Sequence, residues 1–144
     1  MKLKSTLALN MAKGFLVTAA IIIGEENKIL IARRAASKHL AGYWEFPGGK
    51  VEKNEKEEDC LRRELMEELG INVSVINFFM LNHHQYKEKN ITLKSYFCKV
   101  EEPENFCLND HDKIEWVKVE NLLDYQLAPA DIPIAKALNE RNSI

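Results

Sequence analysis

The feature that most constrains this 144-residue chain is the stretch Glu52–Glu68, where eight acids and four bases run alongside a leucine stripe. Leu61, Leu65 and Leu69 recur every four residues and predict one buried helical face. Gly70 follows as the expected left-handed residue at the helix end. At the other end Asn54, with Glu57 three residues on, predicts an N-cap with an approximate capping box. Glu64, Glu67 and Glu68 stand at i, i+3 and i+4, within roughly 100° of arc on the helix surface. A charge run is usually a solvated face, but Glu68 lies beside the leucine stripe, at the edge of the buried side. Like charges so placed repel, and desolvating them is costly unless a cation neutralises them. An all-oxygen cluster of this kind suits Mg²⁺, with Mn²⁺ as the alternative, rather than zinc.

Upstream, Phe15–Ile23 is an apolar, β-branched run followed by the polar turn Gly24-Glu25-Glu26 and a second apolar run, Lys28–Ala32. Lys2, Lys4 and Lys13 before the first run give it the look of a signal-peptide core. No small-residue cleavage site follows, and the run is too short to span a membrane. It is read instead as a buried strand with a hairpin partner. Residues 1–12 read as a loose leader, with Met11 as an alternative start, and residues 13–144 as a single domain. Arg33 to Asn54 reads as a loop holding Pro47-Gly48-Gly49, whose glycines let the backbone approach a ligand and free a carbonyl for a metal. Strands are expected at about 72–81, 91–100 and 114–119, a helical turn at 119–123, and a closing helix over 131–141 with Asp131 as N-cap and Pro133 in its first turn. This order predicts an α+β fold, a mixed sheet with helices packed on its faces.

Composition narrows the function. Twenty Lys+Arg against 22 Asp+Glu give a net charge of −2, which argues against an electrostatic nucleic-acid binder. Cys60, Cys98 and Cys107 form no CxxC pair and read as free thiols of a reducing, cytoplasmic environment.

Gly49, then five residues, Glu55, then seven, and Arg63-Glu64-Leu65-Met66-Glu67-Glu68-Leu69-Gly70-Ile71 resembles the Nudix box, GX5EX7REUXEEXGU, with every fixed position filled. Arg33-Arg34-Ala35, His39, Trp44–Glu52, Ile91-Thr92-Leu93 and Leu127–Pro133 resemble the MutT branch of that family. The stretch Ala128–Pro133 is most similar to bacterial CTP pyrophosphohydrolases within the branch. The similarity covers about residues 15–138.

The resemblance implies a Nudix fold, an α/β/α sandwich. It implies a Mg²⁺-dependent hydrolase of nucleoside triphosphates, releasing monophosphate and pyrophosphate, that clears oxidised or modified nucleotides such as 8-oxo-dGTP or hydrolyses CTP-type nucleotides. Polyanionic substrate and acidic face meet through divalent cations. By position in the motif, Glu64, Glu67 and Glu68 with the Gly48 carbonyl are implied metal ligands, and both Glu64 and Glu68 qualify as general base. Arg63 is implied to orient the carboxylates. Glu55 reads as support for the helix start. A late metal-associated carboxylate falls on Asp110, with Asp112 and Glu115 as competitors. Arg34 and His39 match positions contacting phosphate or sugar, and Glu45, Phe46, Pro47 and Gly48 belong to the substrate-binding segment. Phe46 and Tyr86 are candidates to border the base, with Phe46 read as core ahead of stacking. Asp131 stands where enzymes specific for oxidised guanine carry Asn, so it is either a base reader, a helix cap, or both. Nudix hydrolysis of another NDP-X compound and a non-catalytic Nudix-fold binding module are the rival readings. No membrane partner is expected, and the assembly is monomer or homodimer.

Overall fold

The structure, a computed structural model, describes residues 13–102 and 105–141. The expected leader at 1–12 and Met11 lie outside the described residues. Seven strands, β1 (Lys13–Ile22), β2 (Ile29–Arg34), β3 (Trp44–Glu45), β4 (Gly48–Lys50), β5 (Val73–Tyr86), β6 (Lys89–Val100) and β7 (His111–Val117), form two sheets. One has the order β4-β1-β6-β5, the other β3-β2-β7. β1 and β6 run parallel and every other pair is antiparallel, so the sheets together are mixed. Two α-helices, α1 (Glu57–Leu69) and α2 (Ile132–Asn139), lie with short 3₁₀ turns at 119–124 and 129–131.

The unbroken apolar run of β1 is explained by burial on both faces. Ala19 and Ile21 point into one core cluster with Leu122, Ile134 and Leu138. Ala20 and Ile22 point into a second, with Leu61, Leu65 and Leu69 of α1. β2 divides in the same way: Ile29 and Ile31 join the first cluster and Leu30 the second. The leucine stripe of α1 and the apolar face of α2 therefore cover opposite sides of the sheets, which is the helix–sheet–helix sandwich expected.

Three local expectations are corrected. β1 and β2 are not hairpin partners, because β1 has both edges filled by β4 and β6. Only the bridge Ile23↔Ile29 joins the two strands at their root, and β2 passes into the other sheet. The span 33–54 is not a plain loop but carries β3 and β4. There a Cβ at Gly48 would overlap the Thr18 carbonyl oxygen, so glycine is what allows β4 to pair with β1. Finally, Asn54 is not the N-cap. It sits at φ 64°, and α1 begins after Lys56, which makes no side-chain cap bond. Glu57, Glu58 and Asp59 in the first turn complement the helix dipole instead. The other end is as expected, with Gly70 left-handed at φ 66° and its N–H on the Leu65 and Met66 carbonyls. β5 and β6 extend farther than expected, to a tight turn at 87–88. Among the described residues no helix is long and apolar enough to cross a membrane.

Candidate active site

α1 presents its acidic edge to the short strand β4. A Cβ at Gly49 would overlap the Glu64 carboxyl group, so the glycine lets that carboxylate lie against the backbone. Arg63 holds the arrangement together. Its Nε and Nη2 donate to the two Glu55 oxygens at 2.7 and 2.9 Å, its Nη1 reaches Glu64 Oε2 at 3.3 Å, and Nη2 also donates to the Lys50 carbonyl of β4. The Arg63 hydrogen bonds and the Glu52 N–H hold Glu55 down at about 2, a permanent anion that anchors the arginine. Glu55 lies before the helix and anchors Arg63, which reaches Glu64 and the Lys50 carbonyl.

Glu64 and Glu68 line a cavity of about 220 Å³ with Gly48, Gly49, Glu45 and Asp131. Burial pushes the Glu68 carboxyl up to about 9, with the Glu45, Glu64 and Asp110 charges adding to it. Burial also raises Glu64. The Glu64 charge acts on Glu68, so a proton on either relieves the repulsion between the two carboxyl groups. Glu68 Oε1 is buried and has no hydrogen-bond partner. A crowded, protonated, half-satisfied set of hard oxygens fits a divalent cation, which would replace the proton and satisfy the orphaned oxygen. Glu67 is on the outer side: its side chain is 60% exposed and 3.6 Å from Arg63 Nη1. The structure thus brings Glu64 and Glu68 together and leaves Glu67 beside them at the rim.

Of the three late carboxylates, Asp112 is bonded to Arg33 Nε at 2.7 Å and Glu115 to Lys113 at 3.3 Å. Asp110 acts electrostatically on Glu68 and pairs with Lys38 at 3.1 Å. Its neighbour His111 was not anticipated. This side chain is 1% exposed, and its Nε2 lies 2.7 Å from Glu45 Oε2. Ligand atoms of Glu45, Glu68 and His111 all fall within 4.8 Å of one another. A lone histidine carries little signal in sequence, and its burial here follows from the β2–β7 pairing that sets it opposite Arg34.

A second cavity, about 820 Å³, adjoins the first through Arg34, Glu45 and Asp131. Arg34 Nη1 is held by both Glu45 oxygens at 3.2 Å, and its Nε donates to the His39 carbonyl at 2.5 Å. His39 and Tyr86 meet edge to face at 6.1 Å across the wall of this cavity. Phe46 is a core residue, 3% exposed, and its contribution to the site is its backbone. Its N–H donates to Asp131 Oδ2 at 2.8 Å. The Pro47 carbonyl accepts from Ala20 N–H, tying this segment to β1. The capping role expected of Asp131 is corrected: its backbone is already helical and its side chain makes no cap bond. It lies at the end of the 3₁₀ turn with its carboxyl group committed to Phe46. Burial, then the Glu45 charge, raises its carboxyl well above the usual carboxylate range. A carboxyl that keeps its proton offers a donor as well as an acceptor, which is the hydrogen-bonding capacity of an amide.

Comparisons with known proteins give the chain its family. The CTP pyrophosphohydrolase of Escherichia coli K12 is 38% identical over 121 residues, 82% of this chain and 87% of that protein. The 8-oxo-dGTP diphosphatase of the same organism is 34% identical over 122 residues, 85% of this chain and 94% of that protein. The solution structure of the MutT protein of methicillin-resistant Staphylococcus aureus 252 superposes with a TM-score of 0.70 at 40% identity, covering 90% of this chain and 98% of that one. The NUDIX domain model matches residues 15–138, a span that contains Arg63, all three helix carboxylates, and the pocket that ends at Asp131, and the chain belongs to the Nudix domain family.

Proposed function

We propose that this Nudix hydrolase is a Mg²⁺-dependent nucleoside triphosphate pyrophosphohydrolase that releases a nucleoside monophosphate and pyrophosphate. Its substrates on this reading are oxidised or modified nucleotides such as 8-oxo-dGTP, or CTP-type nucleotides, handled in the cytoplasm. The observation that carries the reading is the joining of two cavities at Glu45 and Asp131: an acidic one sized for a cation–phosphate group and a larger one sized for a nucleoside. The names of the E. coli relatives, which act on CTP and 8-oxo-dGTP, point the same way.

Glu64, Glu67, Glu68 and Asp110 with the Gly48 carbonyl would hold the divalent metal. A bound cation supplies neutralisation of phosphate charge and a water of lowered pKa. The chain's own groups do the rest. Arg63 keeps Glu64 aimed at the cavity, and Arg34 sets a guanidinium between the two cavities, where a phosphate chain leaves the nucleoside. Glu64 and Glu68 face the same cavity, and either carboxylate can take a proton from the attacking water. His39 borders the nucleoside cavity, and Asp131 stands at the junction with its carboxyl fixed by Phe46 N–H. Steady-state kcat/KM values over canonical and oxidised nucleotides test the reading. A modified or cytosine nucleotide preferred by tenfold or more supports it, and a preference for ADP-ribose or a dinucleoside polyphosphate moves the protein to another substrate class.

A further inference from the structure

The 3₁₀ turn Pro129–Asp131 is held by side chains from a strand remote in sequence. Tyr86 Oη accepts from the Ala130 N–H at 3.0 Å. Asn82 Nδ2 donates to the Ala130 carbonyl at 3.0 Å. Both residues belong to β5, paired opposite Lys89 and Leu93 of β6. These two bonds fix the two consecutive peptide planes that lead into the Asp131 Cα. The third restraint is the bond from Phe46 N–H to Asp131 Oδ2. Two separate elements, β5 and the segment after β3, therefore determine where one buried carboxyl group points.

The arrangement has a cost that marks its purpose. Asn82 Oδ1 is buried with no partner. A buried amide using half its capacity is less stable than an apolar side chain of similar shape, because the orphaned acceptor keeps its desolvation penalty. A leucine at position 82 would pack under the turn without that penalty, but it would leave the Ala130 carbonyl free to rotate. Tyr86 is similarly specific. His39 and His84 pack edge to face on its ring at 6.1 and 4.4 Å, so its hydroxyl has little freedom to leave the turn.

We propose that Asn82 and Tyr86 are positioning residues for nucleotide selection, clamping the Ala130 peptides so that the Asp131 carboxyl group is preorganised towards the base. This rests on the reading of the larger cavity as the nucleoside site. A base-edge hydrogen bond discriminates only while its protein partner is held in place, so loosening the turn lowers selectivity through Asp131.

The test is a double-mutant cycle on selectivity, the ratio of kcat/KM for the best and the poorest nucleotide of a panel of CTP, dCTP, ATP, GTP and 8-oxo-dGTP at saturating Mg²⁺. Tyr86→Phe and Asn82→Leu are each expected to lower the ratio by about 3- to 10-fold, the span of one modest hydrogen bond. The loss should fall mainly on KM for the best nucleotide. In the Asp131→Ala background neither substitution should lower the ratio further. Tyr86→Phe removes only a hydroxyl, so it remains informative if Asn82→Leu folds poorly. Equal losses with and without Asp131 would overturn the clamp and make Tyr86 a direct contact of the base. Unchanged selectivity in both single variants would also overturn it. A wild-type enzyme that hydrolyses the whole panel equally would overturn the clamp together with the nucleoside reading of the cavity, and the wild-type arm alone reveals that case.

Discussion

The acidic edge of α1 and the nucleoside cavity are built on opposite principles. The first is local. Glu64 and Glu68 share a face because a helix repeats every 3.6 residues, and Arg63 locks Glu55 and Glu64 from within the same short stretch. The second is assembled from β2, β3, the end of β5 and the turn before α2, residues as far apart in sequence as Phe46 and Asp131. The local site keeps its groups close by sequence and accepts electrostatic strain: Glu68 is pushed up to about 9 by burial first and by its acidic neighbours second. The assembled site keeps its groups close by tertiary packing and pairs them, Glu45 with Arg34 and His111, Asp131 with Phe46, while burial and the Glu45 charge still raise Asp131. On the proposed function the first would take cations and the second the base.

The sharpest way to break this contrast is at α1. Glu67→Gln and Glu68→Gln should each lower kcat/KM by roughly 10² or more while the fold is retained, since removing a ligand charge weakens both metal affinity and charge stabilisation. Near-normal turnover of both variants at saturating Mg²⁺ would end the metal-face assignment. The pair also separates rim from interior: Glu68→Gln should disturb Mn²⁺ affinity at least as strongly as Glu67→Gln, because Glu68 lines the cavity and Glu67 does not.

At the other region the expected effect is smaller and selective. Asp131→Ala should cost the preferred nucleotide about 10- to 100-fold in kcat/KM, the scale of one unpaired base-edge group, and poor nucleotides much less. Because the structure removes the cap role, its cost in stability should not come from a frayed α2. Circular dichroism of the variant should show native helicity. A uniform loss over every nucleotide would take base recognition away from Asp131.

The smallest effect concerns the strain itself. Below about pH 4.5 Glu68 is protonated in both folded and unfolded chains, whereas between about 4.5 and about 9 only the folded chain keeps the proton. The folded state then binds more protons, so metal-free stability should fall as pH rises through that window. Glu68→Gln should flatten this slope and raise the metal-free Tm at pH 8 by a few degrees. Mn²⁺ binding near pH 7.5 should release protons in the wild type and fewer in the variant, as calorimetry in buffers of different ionisation enthalpy would show. Proton release equal in the two would contradict the account of Glu68.

What was legible in the sequence follows the same division. The buried face of α1 and its end at Gly70 depend on spacing alone, and the structure has them, whereas of the three helix carboxylates Glu64 and Glu68 line one cavity and Glu67 stays at its rim. The two-faced burial of β1 was visible in its unbroken apolar run, but its partners were not. Adjacent apolar runs suggest a hairpin, whereas β1 found both edges filled by β4 and β6. Asp131 before Pro133 has the chemistry of a cap, and only the approach of Phe46 N–H shows where its carboxyl group goes. His111 and Asn82 were illegible for a similar reason, since a single buried polar side chain acquires meaning from its partner, and Glu45 and Ala130 are supplied by other elements.

The central claim, that the acidic edge and the nucleoside cavity act together on a triphosphate, is tested most directly by product analysis. Purified protein with Mg²⁺ and the preferred nucleoside triphosphate should yield monophosphate and pyrophosphate in equal amounts. In ¹⁸O-water the label should enter one of the two products only, with no orthophosphate before an added pyrophosphatase acts. Early orthophosphate with a nucleoside diphosphate as the first product would place the attack at the terminal phosphorus and contradict the account.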